Sequence, residues 1–432
     1  MRASRPPLQC LLAIVNRGFQ SRPGILRPRV FAPLLVVLYL ASSFFFLNRT
    51  VNDAERLKGL TAKDSAHYIL IANLFAAGDF SMSYVERRPH RQPLYPLLLA
   101  PAVKLSGNNP FWLGTVNIWI GLITVLALYF GLLKLHSNLL IPAAIGLLYI
   151  TNQMIVDMVS GRIMTEPLHI LFVVLAVFSF IYYATWRRPA ALFAAAGFAG
   201  LDYLTRPNGL FLMLSMLAVL FLNEFVPARD ATDQQNRWFS KVIGVAGKYA
   251  VAVLIFILVS TPSWLPRLYY LHAPLSHGYL SNYMWVDTYA QAHTGDSFAS
   301  FTWRDYAATH RFGDFLQRWL HGFQRVFALP LRFERISSVG FPVLYLLAIA
   351  GLLTSALQRN RTYLALGTFF LIQILPLIWT SLSNPNDRVP YAAILPFEFF
   401  FAAFALEALR RWAHRESKCS SSACLRISST RG

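Results

Sequence analysis

A chain with repeated stretches of roughly 20 mostly apolar residues has few stable folds open to it. Helices packed side by side in a bilayer satisfy their own backbone groups there. Such runs recur near 31–48, 111–133, 139–157, 163–185, 190–205, 207–224, 249–265, 341–357, 362–382 and 389–408. The fifth and sixth are short and share a break at Arg206-Pro207, because proline cannot continue the helical hydrogen-bond ladder. The reading is therefore an all-α polytopic membrane protein with about ten spans. Composition agrees: 56% of residues are hydrophobic and 14% charged, against roughly 25% charged in a soluble domain. That balance excludes an ordinary soluble enzyme and a disordered chain. A net charge of +19 in so apolar a chain points to membrane lipid or an anionic substrate, and not to nucleic acid.

The first 30 residues carry six arginines and no acid, which places the N-terminus in the cytoplasm by the positive-inside rule. Ten spans return the C-terminus to the same side. Segment 1–30 then reads as a basic cytoplasmic leader to the membrane domain, 31–410 as that domain, and 411–432 as a basic cytoplasmic tail. Lys134, Arg187, Arg188, Arg359, Arg361, Arg410 and Arg411 fall at inner ends, and acids concentrate outside. The three cysteines, Cys10, Cys419 and Cys424, lie in the basic termini and suggest no disulfide framework.

Two outer segments are long, about 49–110 and 266–340. Both read as hugging the membrane. Phe312, Phe315, Leu316, Trp319, Phe323, Val326 and Phe327 recur at helical spacing, with Arg311, Arg318 and Arg325 between them. That pattern predicts an interfacial helix, aromatic on one side and cationic on the other. Pro93 to Leu105 is apolar but too short to span, and predicts a second interfacial helix. No internal repeat of the transporter kind is visible, so two large loops on one face point to a site built at that face.

Several residues there bear chemistry. Asp64 and Tyr68 are four apart and share a helix face. The acid suits a general base or a metal ligand; its spacing alone favours a plain helix cap or solvated acid. Glu86-Arg87-Arg88-Pro89-His90-Arg91-Gln92-Pro93-Leu94-Tyr95-Pro96 sets arginines beside the short apolar helix. Arginine's planar fork suits phosphate, and snorkelling to lipid headgroups explains it equally well. Glu166 opens the fourth span, where an acid is costly unless it faces the bundle interior or a wet cavity. Asp202 and Arg206 are one turn apart and read as neutralising each other. Arg267 and Arg388 sit at the outer mouths of the seventh and last spans. No P-loop, HExxH or Gly-x-Ser-x-Gly sequence is present.

Taken in order, these segments resemble the GT-C superfamily of membrane glycosyltransferases. The branch they are most similar to holds protein mannosyltransferases, the lipid A aminoarabinose transferase and lipopolysaccharide sugar transferases. Asp64-x-x-x-Tyr68 resembles the acidic motif of the first loop. Arg91-Gln92-Pro93-Leu94-Tyr95-Pro96 resembles the basic run into a juxtamembrane helix, and Glu166 falls where a second outer acid stands. Leu204-Thr205-Arg206-Pro207 resembles the family's break. Pro262-x-Trp264-x-x-Arg267 with Tyr270, and Arg388-x-x-Tyr391 with Leu395-Pro396, resemble later landmarks. Three positions depart. Ser65 follows Asp64 where many relatives carry a second acid, Glu166 replaces a more common Asp, and Gln92 stands where some have Lys.

The resemblance implies an inverting transferase of the bacterial inner membrane, active on the periplasmic face. Its sugar donor would be linked to polyprenyl phosphate, and its acceptor would be an envelope glycan, lipid or protein. It implies Asp64 as base, with Glu166 orienting the acceptor or joining Asp64 in holding a divalent cation, magnesium or manganese. Tyr68, Tyr95, Arg88, Arg91, Arg206, Arg267 and Arg388 would face substrate. A flippase for a lipid-linked sugar, or a non-catalytic accessory protein of the same fold, are the alternatives.

Overall fold

The computed structural model describes residues 28–61, 64–136, 138–225, 238–275, 283–288, 290–291, 302–328, 340–358, 361–381, 383 and 388–429. Every regular element among them is a helix. In chain order these are α1 (Pro28–Asn52), α2 (Ala54–Thr61), α3 (Asp64–Ala76), α4 (Tyr84–Arg87), α5 (Leu94–Ser106), α6 (Pro110–Leu135), α7 (Leu140–Thr151), α8 (Gln153–Ser160) and α9 (Glu166–Trp186). There follow α10 (Pro189–Tyr203), α11 (Gly209–Phe225), α12 (Trp238–Leu271), α13 (Trp303–Thr309), α14 (Phe312–Ala328), α15 (Gly340–Leu357), α16 (Arg361–Thr380) and α17 (Arg388–Ser429).

Each of the ten apolar runs overlaps a helix among the described residues. By length and composition five helices can cross a membrane, or six when the bent pair α7–α8 counts as one span; α11, α15 and α16 hold shorter apolar stretches. The third run is not one straight span. It bends by 61° between α7 and α8, because Asn152 leaves the ladder to cap α8. Its side chain accepts from the Met154 and Ile155 N–H groups, and its amide donates to the Tyr391 hydroxyl at 3.0 Å.

The core is aromatic and aliphatic, centred where α9 packs against α6, α10 and α17. Large apolar side chains such as Phe45, Trp119, Ile123, Leu258, Leu346 and Leu353 remain exposed around it, as a bilayer solvent allows. Pro207 ends α10, and α11 folds straight back. Gly209 makes this possible, since a Cβ there would lie 2.2 Å from the Tyr203 nitrogen. The same turn receives the first loop: the Leu94 N–H donates to the Leu204 carbonyl at 3.1 Å. That bond fixes α5 against the α10–α11 break.

The short helix expected at 93–105 is α5, which packs on α3. The expected amphipathic helix is α14. Arg318 is buried, stacks over Trp379 at 4.5 Å and donates to the Trp379 and Tyr283 carbonyls. Arg325 donates to the Ser381 carbonyl. Phe312, Leu316, Leu320 and Phe323 are the exposed stripe. Arg318 and Arg325 therefore dock on the bundle beside Trp319, Val326 and Phe327, where carbonyls at the end of α16 need donors.

Candidate active site

Asp64 is the first residue of α3, so Asp64, His67, Tyr68 and Ile71 share one face. Tyr68 and Ile71 are buried by packing against α5 and its neighbours, which orients Asp64 and His67 toward the loop that precedes α5. From that loop comes Arg91, 7% exposed. Its guanidinium forms a short ion pair with the Asp64 carboxylate and donates to the Tyr68 hydroxyl at 3.0 Å. Nη2 lies 3.1 Å from His67 Nδ1, and the group also sits over the Tyr68 ring at 4.8 Å. One planar cation thus joins an acid, a phenol and an imidazole.

Arg267 of α12 sets the position of that loop. It has no exposed surface. It donates to the Pro89 carbonyl at 3.1 and 2.7 Å, to the Arg91 carbonyl at 3.3 Å, and to the Ser263 carbonyl and hydroxyl. Ser263 in turn donates to Gln92 at 2.6 Å. A buried cation is tolerable only when its donors are matched, and here they are matched by the loop backbone.

Tyr95 carries the network into the bundle. Its ring meets Tyr68 edge-on at 5.3 Å. Its hydroxyl donates to Asn117 Oδ1 at 2.9 Å, and Asn117 donates to the Arg162 carbonyl at 2.8 Å. Glu166 lies within electrostatic range of that phenol. Glu166 is 2% exposed and pairs with Arg206 at 3.3 Å. Beneath them, His169 Nδ1 faces Asp202 Oδ1 at 2.7 Å. Asp202 therefore takes His169 as its hydrogen-bond partner and leaves Arg206 to pair with Glu166.

Charge in the loop acts on two histidines. Burial first, then Arg91 and Arg88, push the His67 imidazole down from 6.5 to about 4, against the opposing pull of Asp64. Burial, with Arg91, His67, Arg88 and Arg267 around it, takes His90 to about 2. Both rings are neutral near pH 7. Among the described residues no group of three or more His, Cys, Asp or Glu side chains is arranged to hold a metal. Asp64 and Glu166 each face a guanidinium, and a cation would have to displace it. The carboxylates do not form a fitting donor set in this arrangement.

The structure thus brings together Asp64, Tyr68, Arg91, Tyr95, Glu166 and Arg206. Arg88 is half-buried at the end of α4, within electrostatic range of His67 and His90. Two residues expected on substrate make structural contacts here. Arg267 and Tyr95 have no exposed surface; they hold the loop and the α5–α6 junction. Arg388 begins α17, and its side chain lies outside the described residues, as do 384–387. His67, His169 and Asn117 were missed. His67 and His169 each stand three residues after an expected acid, a spacing that puts them on its face.

A cleft of about 400 Å³ lies beside the network, lined by Thr50, Glu55, Arg56, Gln153, Asp157 and Arg162 among others. Arg162 joins the two, since its carbonyl takes the Asn117 bond and its side chain pairs with Asp157 at 3.4 Å.

No protein-family model matches the sequence, and no curated protein matches it significantly. Solved structures do resemble it. The oligosaccharyltransferase of Archaeoglobus fulgidus, in complex with zinc and sulfate, superposes with a TM-score of 0.55 at 14% identity, over 91% of this chain and 51% of its own. ArnT from Cupriavidus metallidurans, bound to undecaprenyl phosphate, gives 0.54 at 16% identity, over 92% of this chain and 64% of its own. The Archaeoglobus protein AglB, with an inhibitory peptide and a dolichol-phosphate, gives 0.51 at 15% identity, over 91% and 52%. The chain spans about half the length of the archaeal proteins and less than two thirds of ArnT. The likeness establishes the fold, a helical bundle like that of these solved proteins, and with the apolar helices it identifies an integral membrane protein.

Proposed function

We propose that the chain is an inverting glycosyltransferase. It moves a sugar from a polyprenyl-phosphate donor to an envelope acceptor on the periplasmic face of a bacterial inner membrane. One observation carries the reading. Asp64, Tyr68 and Arg91 form one polar network that meets Tyr95, and Glu166 and Arg206 form an ion pair of their own, in a GT-C-type bundle whose solved neighbours include one bound to undecaprenyl phosphate and one to a dolichol-phosphate.

The chemistry follows from the resting ion pair. Arg91 holds Asp64. A donor phosphate competes for the same guanidinium fork, which matches phosphate as well as carboxylate. Once Arg91 turns to phosphate, the Asp64 carboxylate is released to take the proton of an acceptor hydroxyl. The hydroxyl oxygen then bonds to the anomeric carbon from the face opposite the phosphate. The carbon–oxygen bond to phosphate breaks, and its electron pair stays on the leaving group. Arg91, Arg88, Arg206 and Arg388 are the candidates to stabilise that charge. Glu166, held by Arg206, orients the acceptor. We place a hydroxyl-rich acceptor in the cleft beside Arg162 and Asp157.

A second reading has one observation in its favour. Both expected acids already sit on arginines, as a non-catalytic accessory protein of the same fold would have them. A flippase shares the groove and the cations without the chemistry. Purified protein in lipid, given radiolabelled polyprenyl-phosphate sugars and an envelope acceptor fraction, separates the readings. Transfer by wild type and none by Asp64→Ala supports the enzyme; no transfer by folded wild type favours the other two.

A further inference from the structure

Four ionisable side chains, two each from α9 and α10 with the turn that follows it, meet beneath the proposed site. Glu166 and His169 are one turn apart on α9, and Asp202 and Arg206 one turn apart at the end of α10. His169 is 1% and Asp202 0% exposed. Such a pair is costly to bury and needs a reason. Local spacing would give Arg206 to Asp202: the Arg206 N–H donates to the Asp202 carbonyl at 2.7 Å, and the two charges lie within electrostatic range. The guanidinium instead pairs with Glu166 at 3.3 Å, an ion pair without an aligned hydrogen bond. Glu166 Oε2 and Asp202 Oδ2 are both buried without a hydrogen-bond partner among the described residues. Two carboxylates therefore compete for one arginine, and of the two it is Asp202 that has an imidazole as hydrogen-bond partner among the described residues.

We propose that His169 is a positioning residue: by occupying Asp202 it leaves Arg206 to Glu166, and so sets the polar lining of the site. This assignment of partners rests on geometry. Its effect on turnover rests on the transferase reading above.

Double-mutant cycles on the full chain in detergent test the assignment without any transfer assay. Thermal midpoints of Arg206→Gln, Glu166→Gln, Asp202→Asn and their pairs give the couplings, with His169 present and in His169→Leu. Arg206 is expected to couple to Glu166 when His169 is present, and to Asp202 in His169→Leu. His169→Asn, which retains a donor, is expected to keep the wild-type pattern. An Arg206 coupling that stays with Glu166 in His169→Leu overturns the proposal.

Where transfer is measurable, His169→Leu is expected to lower turnover by about tenfold, the scale of a contact-pair coupling, with acceptor KM little changed. Adding Asp202→Leu is expected to restore it, since the competing carboxylate is gone. A double variant as impaired as His169→Leu, or worse, overturns the proposal, because removing the competing carboxylate should return Arg206 to Glu166; the shift of the Arg206 coupling in His169→Leu is the readout that a merely structural pair would not move. If His169→Leu does not fold, the double variant carries the test alone: it must match Asp202→Leu in coupling and turnover. A wild type with no transfer would defeat the functional reading and leave the couplings to decide this one.

Discussion

Arg91 lies on the Asp64 carboxylate from 27 residues away in sequence, nearly buried, while Asp64 keeps 39% of its side chain exposed. The acid is thus the more exposed partner of the pair. An acceptor hydroxyl can approach Asp64, and a phosphate must compete for Arg91.

Asp64→Asn is expected to cut transfer by about 10²–10⁴-fold, the usual worth of a general base. The amide is nearly isosteric, so the fold and donor binding should survive. Turnover with saturating donor, beside a donor-binding measurement, checks this. Equal losses in both would make Asp64 a binding residue.

Arg91→Lys is expected to be severe although it keeps the charge. An ammonium cannot reach Asp64, Tyr68 and a phosphate with one planar fork. Donor KM should rise by on the order of tenfold or more. Unchanged KM would remove Arg91 from the phosphate.

Arg267→Met should act through stability. It strips the Pro89 and Arg91 carbonyls of their buried donor, a loss of about 2–4 kcal/mol. The thermal midpoint should drop, and any surviving protein should lose donor affinity with its loop. A stable variant with a selective kinetic defect would return Arg267 to the substrate.

Much of this was legible in the sequence. The apolar runs located the apolar helices of the bundle, because a bilayer demands about 20 apolar residues whatever their neighbours. Asp64, Arg91, Glu166 and Arg206 were legible because charge beside a span is costly and so conspicuous. What the sequence hid was partnership. Asp202 and Arg206 looked paired by local spacing, yet His169 from another helix changed the assignment. Arg267 looked like a substrate ligand, since no spacing rule reports that a backbone carbonyl 178 residues away will consume its donors. The docked face of α14 was hidden likewise, because a helical pattern does not say which side meets the bundle.

Acid should loosen the first loop. His67 and His90 titrate at about 4 and about 2 in the folded chain, against 6.5 for an ordinary imidazole. Between those values the unfolded chain binds more protons, so stability is full above pH 6.5 and falls as pH drops below it. Thermal midpoints at pH 7.5 and 5 should show the fall, and His67→Asn with His90→Asn should flatten it. A midpoint that rises on acidification would contradict the sign.

Asp157→Asn, in the cleft, should raise acceptor KM several-fold while donor KM stays put, since one polar contact is worth about 1 kcal/mol. Effects confined to the donor would move the acceptor elsewhere.

The central claim is that Asp64 is the base of a glycosyl transfer. Purified wild type and Asp64→Asn in lipid, each shown to be folded and to bind polyprenyl phosphate, would receive radiolabelled polyprenyl-phosphate sugars and an envelope acceptor fraction. Label reaching the acceptor with wild type alone is the predicted result. Equal transfer by both proteins would contradict it.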